Sequence, residues 1–295
     1  MKIIEQELVK FNQALSDCLS SRHSEISADI NDFIFSKSKR LRPKIIFLFA
    51  NAIEKEITDD VINLAICTEL LHNSTLIHDD IIDNAQTRRG KISLNQKLGN
   101  NLSVLAGDFI LALAMQYLAK CNNIECFDIF ANSIKLMCKG EINQHFTQGK
   151  IPTLEEYIEK SKQKTAELFK AALVSLAKIK NIENSKVEDF AINFGIAFQI
   201  RDDLINILET DMSKPTFSDI HNKIYNAPVI FLNKNISTFT EDELFKELQT
   251  KEIKEKTIEL IKKYATLAIA SLDFIKDNQY KQELTNLCES LYKVI

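Results

Sequence analysis

Apolar side chains return every three or four positions along almost the whole of this chain, the period of helices that bury one face. Ile4, Leu8, Phe11, Leu15 and Leu19 form the first such stripe. A basic stretch, Lys37-Ser38-Lys39-Arg40-Leu41-Arg42, runs into Pro43, which suits a first helical turn because no partner is needed there for its missing N–H. Another helix is expected to start near Thr58-Asp59-Asp60 and to run through His78-Asp79-Asp80-Ile81-Ile82-Asp83. The same periodicity predicts helices over about 101–120, 124–147 and 153–180. Thr153 with Glu156, Ser185 with Glu188 and Thr240 with Glu243 have the spacing of capping boxes. From Thr210 to Asn226 the period is lost, as in a long functional loop or lid, and two further helices should close the chain. With six Gly and four Pro in 295 residues, and no linker or repeat, the pattern predicts one all-α domain over 1–295.

Composition narrows this reading. Hydrophobic residues make up 45% of the chain, enough for a substantial core, and the net charge of -4 gives no sign of nucleic-acid binding. The six cysteines, at 18, 67, 121, 126, 138 and 288, show neither a CxxC pair nor a zinc spacing. Buried thiols in a reducing, cytoplasmic setting are the expectation. Acids and a glutamine in Met1–Glu7 interrupt any signal-peptide core, and no charge-free segment reaches membrane-spanning length.

Candidate chemistry sits on two of the expected helices. His72, Thr75, Asp79 and Asp83 follow steps of three and four and share one face, with Asp80 off to the side. The helix from Ser185 carries Phe190, Phe194 and Phe198 on one side, read as core, and Gln199, Asp202 and Asn206 on another. Asp203 lies beside Asp202. One acidic cluster is more often a solvated helix face. Here Leu76, Ile77, Ile81 and Ile82 surround the carboxylates, which are costly to bury without a cation. A hard ion such as Mg²⁺, held by one or two carboxylates plus substrate phosphate oxygens, would compensate them. Two such helices facing each other would build an anionic cleft for a metal and a diphosphate. Lys39, Arg42, Arg88 and Arg89, near helix ends, supply charge to balance the phosphate.

Read together, Lys39-Arg40-Leu41-Arg42-Pro43, HDDIIDxxxxRRG at 78–90, Lys164-Thr165-Ala166 and FQIRDD at 198–203 resemble the trans-polyprenyl diphosphate synthases. Gly107-Asp108-Phe109 and Gly140-Glu141-xx-Gln144 fit the same family. The resemblance implies an isoprenoid-synthase fold, an antiparallel helical bundle around a deep cavity, and a homodimer. It implies Mg²⁺ as cofactor, with Asp79 and Asp83 as ligands and Asp80 in support, and with Asp202, beside Asp203, holding a further metal from the opposite wall. Arg88, Lys164 and Lys214 would grip an allylic diphosphate, with Thr165 and Gln199 beside it. Lys39, Arg42, His72 and Arg89 would bind isopentenyl diphosphate.

Some positions depart from the family. Ser36-Lys37-Ser38 stands where relatives have glycines, and a serine fits there only if the backbone avoids a positive φ or bears its cost. Asn206 replaces an Asp, and Phe217 a glycine in the lid. Small residues, Ser74 and Thr75, occupy the positions where bulky aromatics block the tunnel of short-chain relatives, which implies a long product. A deeper floor at Met115 or Phe146 is a further option. A geranylgeranyl diphosphate synthase, a partner subunit of a hetero-oligomeric synthase and a class I terpene cyclase remain as alternatives.

Overall fold

A computed structural model describes residues 2–20, 26–36, 38–208 and 218–293 of the chain. The fold is all-α, its one sheet among the described residues being a two-stranded hairpin. The chain partitions into two compact units, each drawn from several stretches of sequence. The first comprises Met1–Phe130, Ala172–Glu183 and Asp277–Lys281; the second comprises Ala131–Ala171, Asn184–Lys276 and Gln282–Ile295.

The first unit opens with α1 (Glu5–Ser20), α2 (Ser27–Phe35) and α3 (Leu41–Ala52). Ile45 to Ala50 of α3 are all buried, so this helix is sheathed on every side and could not show a single apolar stripe. Phe11 of α1 meets Phe47 edge-on at 6.2 Å. Pro43 falls in the first turn of α3, as its missing N–H requires. The next helix, α4 (Asp59–Ile82), runs six and a half turns through the acidic cluster and packs against α6 (Asn100–Ala119). Between them lie the hairpin β1 (Thr87–Arg88) and β2 (Lys91–Ile92), then α5 (Leu94–Leu98). Gly107 lets α6 approach α4, because a Cβ there would fall 2.2 Å from Nε2 of His78. Ser74 ties the same crossing, its hydroxyl donating to the Gly107 carbonyl at 2.9 Å.

By length and composition α6 could cross a membrane, since Asp108 is its one charge. Burial of Ser103, Ala106, Gly107, Ile110, Leu113, Ala114 and Leu118 accounts for much of that apolarity. After it comes α7 (Ile124–Thr147).

The second unit is built on α8 (Leu154–Ser161), α9 (Glu167–Ile179), α10 (Lys186–Leu208), α11 (Ser218–His221), α12 (Ala227–Leu232), α13 (Glu241–Leu248), α14 (Lys251–Ala270) and α15 (Gln279–Lys293), of which α9 and α15 are shared. The helix expected over 153–180 is interrupted at Lys162–Ala166 by a π-helical turn, which no periodicity argument distinguishes from plain helix. Reciprocal capping boxes form at Thr153/Glu156 and Thr240/Glu243. At the start of α10 the side-chain acceptor is instead Asn184, whose Oδ1 takes the Lys186 N–H at 2.9 Å. The closing region holds four helices after residue 226 in place of the two expected, because short α12 and α13 carry too few turns to establish a period. Phe190, Phe194 and Phe198 stack along α10 with centroids 6.0 and 6.3 Å apart, and Phe169 meets Phe194 edge-on at 5.2 Å.

Gly195 of α10 faces the π-helical turn so closely that a Cβ would lie 2.4 Å from the Cα of Ala166. That neighbour is backbone and cannot swing away. Gly195→Ala is therefore expected to cost about 1–3 kcal/mol, as overpacking does. A urea midpoint unchanged from wild type would contradict this close approach.

Candidate active site

The two acidic sequences sit at different depths on their helices. On α4, Asp79 is half-buried and Asp83, the C-cap residue, is exposed; the Asp83 N–H donates to the Asp79 carbonyl at 2.8 Å, closing the last turn. Their carboxylates thus emerge one turn apart. Asp80 points inward and is 1% exposed. Its Oδ1 accepts from Arg88 Nε at 2.7 Å and also from Nη2, while Oδ2 is sealed from solvent with no hydrogen-bond partner. Burial pushes its carboxyl up, opposed by the hydrogen bond and charge of Arg88 and then by Arg89. Arg88 comes to Asp80 on the β1 strand, and Arg89 follows in the tight turn, at φ 54°.

The basic loop meets α4 further back. Arg40, 8% exposed, adopts the left-handed conformation at φ 49° as the N-cap of α3. Its Nη1 donates to Glu69 Oε1 at 2.7 Å and its Nη2 to the Ile34 carbonyl at 2.9 Å. Ser38 adds a hydroxyl bond to the same Glu69 oxygen at 3.2 Å. Ser36, in contrast, takes an ordinary extended backbone (φ -60°, ψ 155°) and gives its hydroxyl to the Phe33 carbonyl, so serine is tolerated there. Strain lies at Arg40, not at the serine. Lys39 is exposed and Arg42 partly so. Arg89 reaches the Phe33 carbonyl at 3.4 Å, placing a second guanidinium at the C-terminal end of α2, where cations are favoured.

His72 belongs to this group. Burial, and then the charges of Arg42, Arg89, Arg88 and Arg40, hold its pKa well below the usual 6.5. At neutral pH it is an uncharged imidazole amid guanidinium groups. Of the small residues expected to govern a tunnel, Ser74 is buried against α6, whereas Thr75 is partly exposed and donates its hydroxyl to the His72 carbonyl at 2.8 Å. Phe146 is 77% exposed and does not form a floor.

The second unit gathers a different set. Asp202 on α10 is exposed, with an Arg201 guanidinium nitrogen 3.6 Å away. Asp203 is buried and fully occupied: Tyr157 donates to Oδ2 at 2.6 Å and Gln199 Nε2 to Oδ1 at 2.8 Å. Thr165 in turn donates to the Gln199 carbonyl oxygen. Lys164, from the π-helical turn, pairs with Glu141 of α7 at 2.6 Å. Asp219, on α11, is pushed up to about 6 by burial and by Asp203, and accepts from Asn226 at 3.3 Å. Asn206 is half-buried one turn after Asp202. Lys214 and Phe217 lie outside the described residues.

Glu69, Tyr157 and Asp219 were not singled out from the sequence. Glu69 stands one turn before His72, and Tyr157 two turns before Lys164 on the same helical run, so spacing from known motifs could have found both. As for a metal, no three His, Cys, Asp or Glu side chains among the described residues gather tightly enough to hold an ion alone. Asp79 and Asp83 in the first unit, and Asp202 in the second taken by itself, offer hard oxygens, a donor type that suits Mg²⁺ when phosphate oxygens complete its shell.

The polyprenyl synthetase family matches this chain over residues 23–265. The chain belongs to that family. A prenyl transferase of Cyanidium caldarium is 33% identical, the alignment spanning 100% of this chain and 97% of the relative. The polyprenyl synthetase fold described above is also similar to solanesyl-diphosphate synthase 2 of Oryza sativa in sequence, at 29% identity over 97% of this chain and 77% of that protein. In structure it matches octaprenyl pyrophosphate synthase of Helicobacter pylori with a TM-score of 0.83, at 26% identity over 98% of this chain and 99% of the other. The expectation of an all-α isoprenoid-synthase fold holds.

The neutral state of His72 has a measurable consequence. In the unfolded chain the ring takes up a proton near the ordinary value of about 6.5, whereas the folded protein resists protonation until lower pH. The stability this neutrality carries is complete above the unfolded value of about 6.5 and is lost as the pH falls from there through the lower folded value. Between about pH 7 and 5, His72→Gln should therefore lose less stability on acidification than wild type. Parallel curves would mean that His72 is not held neutral.

Proposed function

We propose that this polyprenyl synthetase condenses isopentenyl diphosphate with an allylic diphosphate to make a long-chain all-trans polyprenyl diphosphate. The observation carrying this reading is the gathering of arginines along the helix that leads to Asp79 and Asp83, where Glu69 holds Arg40 and Asp80 holds Arg88 on either side of His72 in sequence. Such a cradle suits a diphosphate group, because guanidinium groups bind its oxygens in pairs and a neutral imidazole adds no competing charge.

Lys39, Arg42, His72 and Arg89 hold isopentenyl diphosphate. Arg88, Lys164 and Lys214 hold the allylic diphosphate, with Thr165 and Gln199 alongside. Asp79 and Asp83, and Asp202, are the residues that would hold Mg²⁺, which would supply charge neutralisation for a departing diphosphate. Asp80 and Asp203 serve these sites from inside, by holding Arg88 and Gln199. The allylic C–O bond breaks with its electron pair leaving on the diphosphate. The double bond of isopentenyl diphosphate then attacks the allylic carbon to form the new C–C bond. A proton leaves the resulting cation for the released diphosphate. Low-polarity surroundings protect that cation from water.

A long product is supported by Ser74 and Thr75, which leave the α4 surface before the acidic pair without a bulky side chain, and by the likeness to solanesyl and octaprenyl synthases. Homodimer formation is supported by Leu102, Leu105 and Phe109, which α6 leaves exposed at helical spacing. A cytoplasmic setting is part of the same proposal, in keeping with five of the six cysteines being buried thiols.

The test is incubation of the pure protein with Mg²⁺, isopentenyl diphosphate and an allylic primer, followed by chromatography of the products. Long-chain diphosphates are expected. Geranylgeranyl diphosphate would indicate a short-chain synthase, hydrocarbons a cyclase, and no turnover without a second polypeptide a partner subunit. Thr75→Phe should shorten the product, and an unchanged chain-length distribution would remove Thr75 from the tunnel. This variant is cleaner than Ser74→Phe, which would also overpack the α4–α6 crossing, at a cost of about 1–3 kcal/mol.

A further inference from the structure

Two carboxylates on α4 are almost fully buried, Glu69 at 1% and Asp80 at 1% exposure, and each is paired with an arginine arriving from outside the helix. They stand eleven residues apart, about three turns, and so share one face. Asp80 receives Arg88 from the hairpin, and Glu69 receives Arg40 from the basic loop. The Arg40 contact is the more elaborate. One Glu69 oxygen accepts from both Arg40 and Ser38, while the second arm of Arg40 is spent on the Ile34 carbonyl. Its guanidinium also lies over the Phe35 ring, 5.3 Å from the centroid. Arg40 is therefore buried, neutralised and occupied, unlike exposed Lys39 beside it. Its left-handed backbone is rarely adopted by a residue other than glycine and persists only when surroundings over-determine it. The same residue opens α3, its carbonyl accepting the Lys44 N–H at 3.1 Å. Fixing Arg40 thus fixes both the direction in which Lys39 leaves the loop and the first turn that carries Arg42.

We propose that Glu69 is a positioning residue for diphosphate binding: it clamps Arg40, and through Arg40 it sets the geometry of Lys39 and Arg42. Arg40 itself binds no substrate. The inference rests on the reading of Lys39 and Arg42 as ligands of isopentenyl diphosphate and adds a residue that no motif supplied. A clamp of this kind acts on one substrate and not the other, which separates it from a general contribution to folding.

The test compares wild type with Glu69→Gln and with a paired variant, Arg40→Met together with Glu69→Met. The paired variant leaves no lone buried charge and decides the matter if the single variant fails to fold. Binding of isopentenyl diphosphate to the full chain is measured by calorimetry, and KM for each substrate is measured at saturation of the other. Both variants should weaken isopentenyl diphosphate binding and raise its KM by about tenfold or more, the scale of a lost charge-assisted contact. The KM of the allylic primer should stay within about twofold. Unchanged isopentenyl diphosphate binding in the folded paired variant would overturn the proposal, as would an equal rise in both KM values. If wild type binds isopentenyl diphosphate but makes no product, the synthase reading fails, and the ratio of binding constants still decides the clamp.

Discussion

Like charges brought together must be compensated, and in the first unit that constraint organises everything around α4. Lys39, Arg40, Arg42, Arg88 and Arg89 come from a loop, a helix start and a hairpin turn, and none of these segments would hold its place against mutual repulsion alone. Glu69 and Asp80 supply counter-charge from within the helix. Removing one partner of a buried pair typically costs several kcal/mol, because the remaining charge is stranded. The pairs therefore impose a specific arrangement more than they add net stability. Asp79, Asp83 and His72 stay less buried on the same helix.

The second unit reaches a similar end by hydrogen bonds from uncharged donors to the Asp203 carboxylate. Tyr157, Asp203, Gln199 and Thr165 form a continuous donor–acceptor chain linking α8, α10 and the π-helical turn. The turn redirects Lys164 and Thr165 relative to a regular helix, and Gly195 gives it room. With both oxygens of Asp203 taken, Asp202 is the member of the pair that solvent reaches.

Helix existence was legible in the sequence wherever one face was buried, and so α4, α6 and α10 were foreseen. The start of the sheathed α3 was legible only from Pro43, and the short α2, α5 and α12 were not legible at all, since a period needs both a wet face and several turns. Of the site, the motif residues were legible because their spacing repeats a family pattern. Their depth was not. Asp79 and Asp80 are neighbours in sequence, yet one emerges and the other is sealed behind Arg88. Only the tertiary packing of the hairpin decides that difference. Glu69 escaped notice for a related reason, because a carboxylate between Thr68 and Leu70 carries no sign of the arginine that will reach it.

Gly107 shows how much can hang on an atom that is missing. His78 lies across it, and Asp79 follows His78 directly. The room that the His78 ring takes beside α6 is thus a vacancy of one methyl group. Any side chain there would act as a wedge that displaces the imidazole from its place next to Asp79. Tolerance to mutation at this point of α6 is therefore governed by a side chain that belongs to its neighbour.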